Sequence, residues 1–513
     1  CEMYVARRTK GDREKDKGDM SGYHLIVLAK NYNGYKNLIK LVSNSWVDGY
    51  YMRPRTDRAD LEKYHEDLIV CSACIAGEVP AKILKGDIAG AREACEWYHN
   101  LFGDDYYLEL QRHKVPDDPS LLANREAYEL QQKANKVLIE FAREYGIKLV
   151  CTNDCHFEDK ETAEAHDHLL CIATGKDLDD PNRMRYSKQE WFKTREEMNE
   201  VFSDIPEALS NTLEVLDKVE IYSIDHGPIM PFFPIPESFG TEEQLRQKVS
   251  EEDLYREFTT DENGENQLSP EEGQKVIDRL GGYDKIYRIK FEAEYLRHLA
   301  YEGARKLYGD PLPENVDEHV NFELHVMKTM GFPGYFLIVS DFIRAAREEL
   351  GVMVGPGRGS AAGSVVAYCL GITKIDPLKY DLLFERFLNP DRVNLPDIDT
   401  DFDDDGRGKV LRWVMDKYGH ENCAHIITYG SMATKNSIKD VARVEKLPLD
   451  KANALCKAIP DRLPDGAKMN LANAIKYTPE LKEAEYSSDP RESNTIKYAR
   501  MLEGTIRGTG IHA

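Results

Sequence analysis

Long apolar runs are missing from this 513-residue chain. None approaches the roughly 20 residues that cross a bilayer, so a helical membrane protein is not expected. Cysteine is sparse and irregular: ten are scattered through a chain far larger than the small scaffolds that disulfides hold together. A reducing cytoplasm is the expected compartment. Positive charge is in deficit, with 68 Lys and Arg against 91 Asp and Glu and a net charge of −23. That argues against a general nucleic-acid binder, although a local basic strip can hold phosphate on an acidic protein. An initiator methionine and a signal peptide are also lacking, and Cys1 runs straight into the strand-like Glu2-Met-Tyr-Val5. At the other end Gly508–Ala513 carries no terminating signal. The expectation is an internal fragment of a longer chain. The length is too great for one core, and about three domains are expected.

Residues 1 to about 230 alternate strand-like and helix-like runs. Leu25–Ala29, Leu68–Cys71 and Ile147–Cys151 are short and apolar, as buried parallel strands are. A helical pattern from Leu121 to Tyr145 stops at Gly146. This order indicates an α/β domain or barrel. Glu2, His24, Cys74, Asp154 and His156 lie near the ends of such strands. Together they suit zinc or a similar transition metal, although each alone also reads as an ordinary core or surface residue. Cys71-x-x-Cys74 has no second pair to complete a zinc knuckle. Beyond residue 230, Pro228, Pro231, Pro234 and Pro236 mark an extended linker. Glu251 to Lys285 is polar and acidic, and around Thr260–Asn266 it reads as a surface insertion with little to bury. Helical periodicity resumes from Ile286 to Leu307 and from Val320 to Met330. The apolar Tyr335–Ser340 then leads into the amphipathic Asp341–Leu350.

The richest stretch is Gly355 to Phe402. Val352–Val354 reads as a strand and Ser360–Leu370 as a helix, and three glycines in the loop between them let backbone N–H groups approach an anion. Arg358 adds a guanidinium suited to phosphate, and Ser360 and Ser364 add hydroxyls. Gly357-x-Gly359-x-x-Ala362 also fits a dinucleotide fingerprint, but the acidic residue that should follow has only Asp376 as candidate, just before Pro377. An ATPase phosphate loop fails because no Lys precedes Ser364. A tight structural turn remains the plainer alternative. Further on, Asp397, Asp399 and Asp401 alternate with Ile398, Thr400 and Phe402. An extended chain puts such carboxylates on one face, roughly 6.5–7 Å apart, where two can reach cations between them. An EF-hand register from Asp401 fails at its twelfth position, which is Arg412 rather than Glu.

Glu2-Met-Tyr, His24–Leu28, Ala73–Glu78 and Thr152–His156 together resemble the later motifs of the polymerase and histidinol phosphatase (PHP) domain. That resemblance implies a distorted β/α barrel with Glu2, His24, Cys74, Asp154 and His156 as ligands of Zn2+ or Mn2+. The family's opening His-x-His motif would precede Cys1. Met330–Val339, Val354–Ser364, Leu382–Pro390 and Pro396–Phe402 resemble the C-family bacterial replicative DNA polymerases. This second resemblance implies a multidomain α/β and α+β chain: a PHP domain over 1–230 lacking its first motif, a linker and acidic insertion over 231–285, a nucleotidyltransferase-like palm over 286–430, a helical thumb over 431–508, and a returning palm segment from 509. It implies Asp399 and Asp401 as catalytic Mg2+ ligands, with Asp397 behind them. It implies Gly357, Arg358, Gly359, Ser360 and Ser364 as the triphosphate grip. A third catalytic Asp would lie past Ala513, so the fragment alone is expected to be inactive. Primer–template DNA and deoxynucleoside triphosphates are the implied partners, with a sliding clamp and other replisome subunits for the full chain and no membrane. Lys435, Lys439 and Arg443 fall at i, i+4 and i+8, one basic stripe on a helix. They read either as a solvated face or, by the resemblance, as thumb contacts to the DNA backbone. The PHP region is expected to be either a metal-dependent 3′–5′ exonuclease or a structural metal domain.

Overall fold

The computed structural model describes residues 1–512 apart from 117–124, 226–228, 230, 232, 262–263, 265–267 and 390–395. It divides into two compact units, Cys1–Ile224 with Ile426–Ala513, and Asp225–His425. Pro228, Leu121 (the expected start of the long helix) and Pro390 lie outside the described residues.

The first unit is built on a six-stranded mixed sheet. Its strands are β1 (Glu2–Ala6), β2 (Gly22–Ala29), β3 (Arg55–Thr56), β4 (Leu68–Cys71), β5 (Tyr106–Gln111) and β6 (Lys148–Thr152), in the order β3-β1-β2-β4-β5-β6. The three apolar runs singled out in the sequence are β2, β4 and β6. Pairing is parallel from β4 to β5 and β5 to β6, where helices make the crossovers, but β2 is antiparallel to both β1 and β4. Alternating burial along β2 fits a strand covered more heavily on one face. Val27, Leu41, Leu61, Val70, Leu108, Leu138 and Phe141 form its main core. The helix Glu126–Tyr145 ends at Gly146, whose φ of 70° lets its N–H turn back to the Ala142 carbonyl.

The same unit contains the helices after residue 432, and they are not a separate body. Helix Ala163–Thr174 sends Ala165, Leu169 and Ile172 into the cluster formed by Ile438, Val441, Leu455, Leu471 and Ile496. At that seam His168 Nε2 lies 2.7 Å from Glu445 Oε1, both side chains being nearly buried, and the His168 ring packs 4.2 Å from that of Tyr498. Strands β7 (Ile427–Ser431) and β8 (Ile506–Ile511) pair antiparallel at the ends of this helical segment.

The second unit is mainly helical. Helices Tyr283–Tyr308, Glu314–Thr329 and Pro333–Glu348 enclose a core that includes Leu296, Val320, Met327, Phe336 and Val366. Of the expected surface insertion around Thr260–Asn266, residues 262–263 and 265–266 lie outside the described residues, but the acidic stretch on either side of it is helical. Helices Glu251–Thr259 and Pro270–Leu280 each begin with a capping box, Ser250 with Asp253 and Ser269 with Glu272. Leu254, Phe258, Ile277 and Leu280 close a small core with Ile286 and Tyr287. Tyr335–Leu350 is, down to Glu348, part of one continuous helix that starts at Pro333. No helix among the described residues is long and apolar enough to cross a membrane.

Replacing Glu445 with Ala leaves the Nε2 of the buried His168 without its partner, a loss of about 1–3 kcal/mol. Amide hydrogen exchange across helix Ala163–Thr174 should then quicken by roughly 5–150-fold. Unchanged exchange would mean that the pair does not hold the seam.

Candidate nucleotide and metal site

Two extended segments of the second unit meet side by side. Val354 and Phe402 form an antiparallel bridge, the Gly355 N–H donates to the Asp401 carbonyl at 2.9 Å, and the Asp403 N–H donates to the Met353 carbonyl at 3.1 Å. The expected strand at Val352–Val354 is thus reduced to this one bridge. Phe402 and Val354 pack with Val352, Ala346 and Val410, which turns Asp401 to the exposed side. Asp403 accepts from the Met353 and Gly406 N–H groups and caps helix Asp404–Tyr418. A residue spent on a helix cap, followed directly by helix, leaves no calcium loop at Asp401–Gly406.

The pairing sets the glycine loop beside the aspartates. Arg358 reaches both: its Nη1 lies 2.9 Å from Asp399 Oδ2 and its Nε 3.2 Å from Asp401 Oδ1. All three side chains are at least a third exposed. Two carboxylates converging on one cation are the donor set that a hard divalent ion takes, and the guanidinium stands where such a charge is wanted. Asp397 is exposed, and Ile398 next to it donates its N–H to the Tyr335 hydroxyl at 3.4 Å. Gly359 has φ +71°, a backbone conformation that favours glycine, and it lies beside the Asp399 carboxylate.

The loop changes character at Ala361. Arg358, Gly359 and Ser360 are exposed, whereas Ala361 through Ala367 are buried. The expected single helix over Ser360–Leu370 is broken into a 3-10 turn, Gly359–Gly363, and a short helix, Val365–Cys369. Ser364 stands extended between them. Its hydroxyl accepts from the Ala367 N–H at 3.0 Å and donates to Glu323 at 2.7 Å, and the residue has no exposed surface. Ser360 faces solvent, and Ser364 faces the core. Sequence reading passed over Glu323. Its signal was a charge on the apolar stripe Val316, Val320, Leu324 and Met327 of helix Glu314–Thr329.

In the first unit the expected metal ligands fall into two groups. His24 on β2 contacts Glu2 on β1, with Nδ1 2.8 Å from Oε1, and the Cys74 sulfur lies 3.5 Å from the same nitrogen. His156 Nδ1 instead hydrogen-bonds the Asp154 backbone carbonyl at 2.6 Å, and its Nε2 lies 3.0 Å from the Tyr186 hydroxyl. Asp154 itself sits at φ +46°. Among the described residues no group of three or more His, Cys, Asp or Glu is arranged to hold a metal ion. The residue types fit zinc, but Glu2, His24 and Cys74 contact one another while His156 is engaged by the Asp154 carbonyl and Tyr186, so the five do not converge on a single ion. Cys74 and Glu2 both favour the imidazolium and raise the His24 pKa to about 10.

The basic stripe lies on helix Thr434–Val444. Arg443 turns towards the C-terminal end of helix Ala163–Thr174, donating to the Cys171 carbonyl at 3.1 Å, with Asp177 just beyond the helix at 3.7 Å. Lys435 lies 3.6 Å from Asp461, and both Lys435 and Lys439 are exposed.

Residues 294–513 match the family model of the bacterial DNA polymerase III alpha NTPase domain, and residues 1–113 match that of the PHP domain. Along its whole length the chain is similar to DNA polymerase III alpha subunits. The polymerase match takes in the whole glycine loop and the aspartates, while Asp154 and His156 lie past the end of the PHP match. The DNA polymerase III subunit alpha of Borreliella burgdorferi is 40% identical over 514 residues, covering 100% of this chain and 39% of that protein. The Thermus aquaticus subunit is 40% identical over 532 residues, covering 100% of this chain and 41% of its own. That of Campylobacter jejuni is 38% identical, with 98% and 39% covered. The chain therefore spans about two fifths of the length of these DNA polymerase III alpha relatives. DNA polymerase and PHP domains generally use divalent metal ions.

A histidine raised in the folded state gives stability that is full below its unfolded value near 6.5 and is lost as pH rises through about 10. Followed by NMR, the His24 ring should stay charged from pH 5 to 8, and Glu2→Gln should lower its midpoint. A ring titrating near 6.5 in the unaltered protein would contradict the geometry.

Proposed function

We propose that this chain supplies part of the catalytic centre of a DNA-directed DNA polymerase that extends a primer in chromosomal replication. Asp399 and Asp401 converging on one cation, beside an exposed glycine loop, is the observation that carries this reading. Residues 286–430 serve as the palm, 431–508 as a helical thumb and 1–230 as a PHP barrel. In the full-length protein a sliding clamp and other replisome subunits are the further partners. Primer–template DNA and a deoxynucleoside triphosphate are the substrates, and the primer 3′ hydroxyl attacks the α-phosphate with pyrophosphate leaving in line.

Asp399 and Asp401 would hold Mg2+, which when bound supplies charge neutralisation at the triphosphate and lowers the barrier to ionising the attacking hydroxyl. The protein's own share is positioning. The N–H groups of Gly357 to Ser360, all but the half-buried Gly357 on exposed residues, would present donors to the phosphates. Arg358, released from the two carboxylates, turns its guanidinium to the same phosphates. Ser364 acts from beneath the loop, because its hydroxyl is already engaged. Lys435 and Lys439 would meet the DNA backbone, and Arg443 secures their helix against the end of helix Ala163–Thr174. The PHP region would serve either as a metal-dependent 3′–5′ exonuclease or as a structural metal domain.

In the full-length protein, Asp399→Ala or Asp401→Ala should reduce primer extension by roughly 10³-fold or more, the factor that several kcal/mol represent. Primer–template binding, measured by fluorescence anisotropy, should change little. Near-normal extension by either variant would end the assignment.

A further inference from the structure

The carboxylate of Glu323 is almost wholly buried, with 1% of its surface exposed, and it takes part in no ion pair among the described residues. It is fully used all the same. Oε1 accepts from the Val365 N–H at 2.9 Å, and Oε2 accepts from the Val366 N–H at 2.9 Å and the Ser364 hydroxyl at 2.7 Å. These three donors are consecutive, and they begin four residues after Ser360. Neither of its helix neighbours on the buried stripe offers a polar contact, so the charge is held by the loop alone. A buried carboxylate is costly unless hydrogen-bonded, and an apolar residue at 323 would leave three buried donors unpaired. Burial raises its pKa to about 7, against the pull of the three donors.

The contact acts on one side of a junction. Upstream, Gly357 to Ser360 lie open beside Asp399 and Asp401. Downstream, Ser364 to Val366 are clamped by Glu323, and Gly363 is pressed so closely to the Leu383 carbonyl that a Cβ would lie 2.7 Å from that oxygen. The open segment is therefore held at both ends: by the Gly355–Asp401 hydrogen bond before it and by the Glu323 clamp after it. With φ of +92° at Gly357 and +71° at Gly359, the segment has little intrinsic preference for one shape, and these anchors hold it together with the Arg358 ion pairs and the Lys374 N–H on the Pro356 carbonyl.

We propose that Glu323 is a positioning residue for triphosphate binding, holding the Gly357–Ser360 donors in register with Asp399 and Asp401 from inside the core. It touches neither substrate nor metal and acts through Ser364, Val365 and Val366. This rests on the functional reading above. Loss of one acceptor oxygen weakens the grip on the nucleotide without touching the reacting groups, so KM should move and kcat should not.

The test uses Glu323→Gln in the full-length protein, since the amide keeps the volume and one acceptor while turning an N–H donor onto the loop. Two quantities are measured beside the unaltered protein: KM and kcat for a deoxynucleoside triphosphate in primer extension, and equilibrium binding of magnesium–dATP by dialysis. KM and the dATP dissociation constant should both rise by about threefold or more, with kcat and primer–template affinity within about twofold. Glu323→Ala, where it folds, should show the larger shift. Unchanged nucleotide binding in Glu323→Gln overturns the proposal, as does a parallel loss of primer–template affinity, which would mark a merely structural role. If the unaltered protein does not extend primers but Glu323→Gln still weakens dATP binding, the polymerase reading fails and the positioning role stands.

Discussion

The backbone pairing of Met353–Gly355 with Asp401–Asp403 does most to determine what the second unit can do. Glycines and aspartates some 40 residues apart in the chain become neighbours through a bridge and two flanking hydrogen bonds. The apolar sides of the two segments, Val352, Val354 and Phe402, lie against Ala346 and Val410. One face is used for packing, which leaves the carboxylates and the loop on the other. Helix Asp404–Tyr418 extends the same logic, because Asp403 caps it while also accepting from Met353. Asp341 then ties its far end to helix Pro333–Glu348 through the Tyr418 hydroxyl at 2.6 Å.

Much of this was legible in the sequence because the chemistry depends on residue type at short spacing. Aspartates at alternate positions and a glycine-rich turn before a small-residue helix carry their meaning locally. The positions of β2, β4 and β6 were legible for a similar reason, as apolar runs of strand length. Their direction was not, since an apolar run does not encode the hand of its neighbour, and β2 proved antiparallel on both sides.

What stayed hidden needed tertiary contact. Ser364 and Ser360 are equivalent as hydroxyls in the sequence, yet one faces the core and the other solvent, because Gly363 is pinned against the Leu383 carbonyl. Glu323 could be seen as misplaced on its helix, but its three donors come from over 40 residues away. The union of helix Ala163–Thr174 with the helices after residue 432 was equally invisible, since an amphipathic face does not name its partner. The insertion was the opposite case. Ser250-x-x-Asp253 and Ser269-x-x-Glu272 are plain helix starts that the acidic composition masked.

The double ion pair of Arg358 has a consequence for the order in which the site fills. Two aspartates this close repel each other, and a tethered guanidinium keeps them together before any diffusible ion arrives. Under the proposed function, metal loading would be an exchange of cations rather than the neutralisation of a bare anionic cleft. An arginine displaced from the carboxylates would stand beside the loop with its charge uncompensated, and an incoming triphosphate would be the anion that satisfies it. Joint arrival of metal and nucleotide would then be the favoured route.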